Sequence, residues 1–269
     1  MWYSVKIIVV FIYNKWIRVA IVKCDFSFEH YREILKYIKE NGYRSAFYDE
    51  DIDGRQIIIR HDIDLDLDAA LELAKIESEL GMKAVYFIWI GSPFYNILEK
   101  RYKGIIDSIL ELGHEIGLHY DETAYICDTK DSMLSYIDKE CEILKCYFDI
   151  DVKTVSFHRP SKFILDSDVN CGKYINTYSK RFFKEYFYIS DSRGEWKNGC
   201  MCGKLGKDSP EKIQFLTHPI WWKNKSLSNQ ERLNEFLQYK TNKMSGDIDD
   251  NITIYNKKNI KIIEVNDEN

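Results

Sequence analysis

The chain has 269 residues, 45% of them hydrophobic and 30% charged, enough for one globular domain with a sizeable core. Its formal net charge of -5 provides no basic field to hold a nucleic-acid backbone, so that partner class is not expected. The seven cysteines, Cys24, Cys127, Cys141, Cys146, Cys171, Cys200 and Cys202, are odd in number and follow no disulfide framework, which reads as reduced thiols.

Val5 to Tyr13 is apolar but too short to span a bilayer, and no small-residue cleavage site follows it. Residues 1–24 are therefore read as an N-terminal extension, and the protein is expected in the cytoplasm without a transmembrane segment. Ser27 to Asn41 reads as an amphipathic helix, with Phe28, Tyr31, Ile34, Leu35 and Ile38 at helical spacing and Gly42 as its stop. Gln56 to Arg60 is a short β-branched run, read as a buried strand. Helix is expected over Asp66–Leu80, strand over Lys83–Ile90, helix over Tyr102–Leu112, strand over His114–His119 and helix over Ser132–Phe148. Strands follow at Thr154–Phe157, Tyr186–Ser190 and Lys212–Thr217, then a helix over Ser228–Tyr239. Residues 241–269 turn polar and are read as a loosely attached tail. The alternation of strand and helix argues a parallel α/β fold, barrel or open sheet, with active residues at the carboxyl ends of the strands.

Those strand ends are where chemistry-bearing residues gather. The first expected strand runs into His61, Asp62 and Asp64; the later ones end at His119 and Asp121, at His158 and Arg159, at Asp191, and at His218. Any one of these has an ordinary reading: a His at a strand end is usually a satisfied polar group, and Asp64 or Asp66 can cap the next helix. Several on one sheet edge argue a site. Asp62 and Asp64, two residues apart on an extended chain, project to one side. Two close carboxylates stay ionised cheaply only beside a cation, so a divalent metal on one leaves the other free as a general base. Carboxylate with imidazole suits zinc or a similar metal, whose open position would bind and acidify water. Cys200 and Cys202 form a C-x-C, but no second cysteine pair with zinc-site spacing accompanies it.

The segments IIIRHDID, GHEIGLHYDE, SFHRPS, YISDSRG and LTHPIWW, in that order across roughly Asp25 to Tyr239, resemble the polysaccharide-deacetylase (NodB-like) family, carbohydrate esterase family 4. The resemblance implies a distorted (β/α) barrel over residues 25–240. It also implies a metal-dependent hydrolase that removes an acetyl group from an acetylated (amino) sugar in surface-glycan biosynthesis. By it, Asp62 corresponds to the base, Asp64 and His119 to metal ligands, and His218 to the general acid. Arg159 and Asp191 correspond to the pair that positions base and acid.

Two departures from the family pattern bear on these roles. Ile63 separates the aspartates, which leaves their roles exchangeable, and position 123, where a second metal His is typical, is Thr. His158, ending a neighbouring strand, is assigned as the third ligand. His114 is the alternative, although its spacing from His119 directs it to the opposite face. Trp221 and Trp222 are assigned to stacking on the sugar, with a place in the core as the other reading. Rival readings are a hydrolase of another carbon–nitrogen bond, a glycosidase built on the two carboxylates, and a degenerate member that binds glycan without turnover.

Overall fold

The computed structural model describes residues 8–11, 18–21, 24–127, 129–197, 199–206 and 208–253. In chain order these form β1 (Ile8–Phe11), β2 (Arg18–Ile21), α1 (Phe28–Glu40), β3 (Arg44–Ser45), β4 (Gln56–Ile63), α2 (Leu67–Glu79), β5 (Val85–Ile88) and α3 (Lys100–Glu111). There follow β6 (Glu115–Asp121), α4 (Lys130–Phe148), β7 (Thr154–His158), α5 (Lys162–Asp166), β8 (Ile175–Asn176), β9 (Phe187–Ser190), β10 (Lys212–Thr217) and α6 (Asn229–Asn251). The chain divides into two compact units, residues 1–227 and 228–269.

In the first unit β1 and β2 form an antiparallel pair, so the apolar run near the start contributes a strand. The main sheet is parallel throughout, in the order β8-β7-β6-β5-β4-β10-β9, with β3 beside β4. From β4 to β7 each strand is followed by a helix that returns the chain to its starting edge, so these neighbours are consecutive in sequence. β10 breaks that order by inserting between β4 and β9.

The sheet is strongly curled. Strands lie about 4.8 Å apart, so β4 and β7, with β5 and β6 between them, would be about 14 Å apart in a flat sheet. Yet Ser156 Oγ of β7 lies 3.5 Å from Asp62 Oδ1 of β4. Only an arc that folds back on itself brings them together. The result is a half-barrel with an inner and an outer face, matching the expected α/β class and barrel type.

The period of two sorts residues between the faces. Inside, Tyr48, Ile58, Val85, Phe87, Phe182 and Tyr186 pack as a small apolar floor. Gly117 of β6 lets the Phe87 ring enter, because a Cβ there would come 2.4 Å from that ring. The outer face of the sheet, with Ile57, Ile59, Tyr86, Leu118, Val155 and Phe215, joins the larger core that includes residues of the helices.

His61 belongs to the outer face. Its Nε2 lies 2.6 Å from Glu77 of α2 and its Nδ1 2.6 Å from Thr217 Oγ1. Tyr31 and Tyr86 also donate to the buried Glu77 carboxylate. Burial works against the charge on Glu77, but His61 and these donors hold the group below the ordinary carboxylate range. His114 faces the same cluster, its Nε2 donating to the Ala74 carbonyl at 3.0 Å.

Helix starts follow their capping residues. Ser27 accepts from the His30 amide, and Asp66, not Asp64, caps α2 through the Ala69 amide, which leaves Asp64 free. In the second unit, Ser228 and Glu231 form a capping box for α6. That helix continues to Asn251, so residues 241–251 are helical rather than loose tail. The segment lacks an apolar stripe and reads as unstructured, but side-chain pairs four residues apart, Gln238 with Asn242 and Lys243 with Asp247, support the helix. Among the described residues no helix is long and apolar enough to cross a membrane.

Candidate active site

The inner face of the curled sheet carries a layered polar cluster at the carboxyl ends of its strands. Arg60, Asp62 and Asp64 alternate along β4 and just past its end, and His119 and Ser156 are Cα partners across β6 and β7. His158 closes β7.

Asp64, His119 and His158 each present one ligand atom, and the three atoms lie within 4.8 Å of one another. His119 Nε2 and His158 Nδ1 are each 3.1 Å from Asp64 Oδ1 and 3.3 Å from each other. The hydrogen-bond network assigns the tautomer of His119. Ser156 donates to Asp62 at 3.5 Å, so its oxygen accepts the Nδ1–H of His119 at 2.6 Å. Nε2 of His119 is then a bare lone pair aimed at a carboxylate oxygen. Such acceptors face one another only with a cation or a shared proton between them. One carboxylate oxygen and two imidazole nitrogens, one oriented from behind by a hydroxyl, fit a divalent metal of the zinc type. The ring of Trp89 stacks on His158 at 4.1 Å between centroids and restrains it.

Asp62 lies beneath this set and is fully buried. Arg60 grips it with two parallel bonds, Nε to Oδ1 and Nη2 to Oδ2, both 2.8 Å. Burial is the largest influence and works to raise the Asp62 carboxyl, but the charge and hydrogen bonds of Arg60, with the charges of His119 and His218, together outweigh it and hold the group below its ordinary value. Arg60 itself is buried between the rings of Phe87 and Tyr178, and its Nη2 also donates to the Tyr178 hydroxyl at 3.2 Å.

Beyond the end of β10, His218 Nδ1 lies 2.7 Å from Asp191 Oδ1. The Asp191 carboxylate also accepts the His218 amide and, at 3.0 Å, the Trp222 indole N–H. Burial opposes a charged imidazole, yet the Asp191 carboxylate, aided by the charges of Asp64 and Asp62, pushes the His218 pKa up to about 9. Asp191 engages Nδ1 of His218 and not its Nε2.

Two expected residues lie elsewhere. Arg159 does not touch Asp62: it is exposed, with a left-handed backbone (φ 49°) that turns it out of the sheet. Its expected place is taken by Arg60. Trp222 is completely buried against Phe26, Tyr31 and Trp196, so it supports Asp191 instead of stacking on a sugar. Trp221 is partly exposed and packs in part against the main core, and its amide donates to the His218 carbonyl at 3.1 Å, which keeps it beside the site. Thr123 is exposed, its amide and hydroxyl both donating to Asp121, which caps the turn after β6.

A cleft of about 280 Å³, lined by Pro160, Tyr178, Phe183, Tyr188, Ser190, Ser192 and neighbours, lies next to Arg60 and Asp191, and none of Asp62, Asp64, His119, His158 and His218 lines it. Tyr178 joins the cleft to Arg60, and Ser190 and Ser192 flank Asp191. Arg60, Ser156, Trp89 and Tyr178 were not expected from the sequence. For the first three a signal exists, since each shares strand parity with a site residue on its own or a neighbouring strand.

No protein-family model matches the chain, and no curated protein matches it. Among solved structures it is similar to a family 4 carbohydrate esterase from Bacillus anthracis, at 18% identity and TM-score 0.40, over 78% of this chain and 85% of that one. The catalytic domain of peptidoglycan N-acetylglucosamine deacetylase from Eubacterium rectale is matched at 14% identity and TM-score 0.42, over 74% and 90%. A family 4 pseudoenzyme from Bacillus anthracis is matched at 12% identity and TM-score 0.39, over 71% and 62%.

Proposed function

We propose that the chain is a metal-dependent deacetylase that hydrolyses an acetyl group from an acetylated (amino) sugar, with zinc as the metal. The observation that carries this reading is the meeting of Asp64, His119 and His158 at one point of the inner face. An arginine-held carboxylate lies beside that point, and His218 is paired with Asp191, its pKa raised by Asp191 with help from Asp64 and Asp62. The sugar class rests on the five-motif resemblance.

Asp64, His119 and His158 would hold the metal. A divalent ion held there would supply Lewis-acid polarisation of the acetyl carbonyl and acidification of water. Asp62, kept ionised by Arg60, takes the proton of the attacking water at Oδ2, the less engaged of its two oxygens. As the water oxygen bonds to the acetyl carbon and the bond to the sugar nitrogen or oxygen breaks, His218 gives its Nε2 proton to the leaving atom. Asp191 holds His218 in the charged form and Trp222 holds Asp191.

The test is acetate release from a panel of N- and O-acetylated sugars and short glycans by the purified chain, before and after chelation and after zinc is restored. Zinc-dependent acetate release is expected. Released reducing sugar without acetate would instead favour a glycosidase. Glycan binding with no product would favour the non-catalytic reading, which Thr123 motivates by standing where the resembled family has a His.

The His218–Asp191 pair yields a further expected result. Asp191→Asn removes the charge that raises the His218 pKa, so the alkaline limb of the kcat/KM profile is expected to fall by about 1–3 pH units. An unmoved limb would mean that His218 is not the acid.

A further inference from the structure

A second cluster of ligand-type side chains lies apart from the active site, at the start of the described domain. Cys24, just before α1, His30 in the first turn of α1, and Cys200 and Cys202 in the turn around Met201 each offer one atom, and all four atoms lie within 4.8 Å of one another. Cys24 Sγ is 3.3 Å from Cys202 Sγ, and His30 Nε2 is 3.3 Å from Cys200 Sγ. The C-x-C therefore finds its complement not in a second cysteine pair but in a Cys-x₅-His segment about 170 residues earlier, as the His30–Cys200 separation records.

We infer that Cys24, His30, Cys200 and Cys202 form a four-ligand zinc site that ties the start of α1 to the Met201 turn. Three thiolates and one imidazole are a common structural zinc set, and four protein ligands leave no open position for chemistry. The spacing fits. Zinc–sulfur bonds of about 2.3 Å and zinc–nitrogen bonds of about 2.0–2.1 Å place the ligand atoms of a tetrahedron about 3.5–3.8 Å apart. The Cys24–Cys202 and His30–Cys200 separations, both 3.3 Å, are slightly shorter than this.

A second observation is independent of the sulfurs. Nδ1 of His30 lies 3.3 Å from the Glu33 carboxylate, one helical turn on. That carboxylate favours the tautomer with the proton on Nδ1, so Nε2 points at Cys200 as a lone pair. Carboxylate-supported imidazoles of this kind are usual at zinc sites. His30 and Cys200 are buried, whereas Cys24 is exposed, which gives an ion a way in.

The position explains what such a site would do. Two residues after Cys24, Phe26 adopts a left-handed backbone (φ 54°) unusual for a bulky residue, and its ring stacks on Trp196 at 5.5 Å and meets Trp222 edge-on at 5.2 Å. Trp196 lies in the same loop as Cys200 and Cys202, and Trp222 holds Asp191. A zinc clamp on both segments would fix the aromatic stack behind the His218–Asp191 pair.

The experiment uses the full chain, purified under reducing, oxygen-free conditions and loaded with zinc or cobalt(II). Metal analysis is expected to give two zinc ions per chain for the wild type, one for His119→Ala and one for Cys200→Ser. Because Cys200→Ser may not fold, the decisive reading is the cobalt spectrum of the wild type and of His119→Ala. Both are expected to display an intense thiolate-to-cobalt charge-transfer band. Absence of that band from the reduced wild-type protein would overturn the inference. His119→Ala separates this site from the active site, since it removes the other metal and spares the band.

Discussion

Asp62→Asn is expected to lower the rate of acetate release by about 10²–10⁴-fold, the range that general base catalysis supplies, while the chain keeps its metal. The reasoning starts from two carboxylates on one strand with different partners. Asp64 faces the two imidazoles; Asp62 faces an arginine and a serine and lies 3.9 Å from His119 at its nearest. An amide at position 62 preserves shape and can still accept from Arg60 Nε, but it cannot take a proton from water. Asp64→Asn is expected to lose rate together with metal affinity, because it removes the charged ligand. Rate and bound metal measured on the two variants side by side therefore separate the roles that the sequence leaves exchangeable. Wild-type turnover in Asp62→Asn, or loss of metal from it, would reverse the assignment.

The elements of this site were legible in the sequence to the extent that they are local. Strand–helix alternation and the strand ends follow from period, propensity and turn residues, and every expected element overlaps an observed one, while the short β1, β2, β3, α5 and β8 have no expected counterpart. Parity separates His114 from His119, and the structure places His114 under the helices with Glu77. The same rule, carried back along β4, puts Arg60 on the face of Asp62. That went unread because an arginine closing the run QIIIR looks like the end of a buried strand rather than a member of its interior. The curl of the sheet was not legible, since it arises from pairings across the whole chain, and with it were hidden the meeting of β4 with β7 and the role of Ser156. Motif resemblance led to Arg159 for the partner of Asp62, whereas a single left-handed residue after β7 turns that side chain outward. Trp222 was ambiguous for a related reason: a tryptophan beside a site residue can stack on a ligand or support the site, and only its indole bond to Asp191 decides.

Arg60→Met is expected to destabilise the protein by about 3–5 kcal/mol at pH 7, because it leaves the Asp62 carboxylate buried without its partner. For a chain of this size that corresponds to a Tm lower by roughly 6–20 °C. The dependence on pH identifies the cause. In the wild type the folded-state pKa of Asp62 lies below its unfolded value of about 3.9. Its contribution is then fully present above that pH and is lost as pH falls through the folded pKa. Without Arg60 burial dominates, and the folded pKa moves above the unfolded one. The variant then folds most easily with Asp62 protonated and loses stability as pH rises from about 4 toward the new folded pKa. The deficit relative to wild type is thus expected to be widest at neutral pH and to narrow toward pH 4, in urea unfolding followed at both. A deficit of equal size at the two pH values would trace to lost packing between Phe87 and Tyr178 instead. The same shift carries into catalysis, since an Asp62 that stays protonated near neutrality cannot act as a base. The acid limb of the kcat/KM profile is therefore expected to move to higher pH in Arg60→Met, which ties the stability of the inner cluster to its chemistry through one guanidinium.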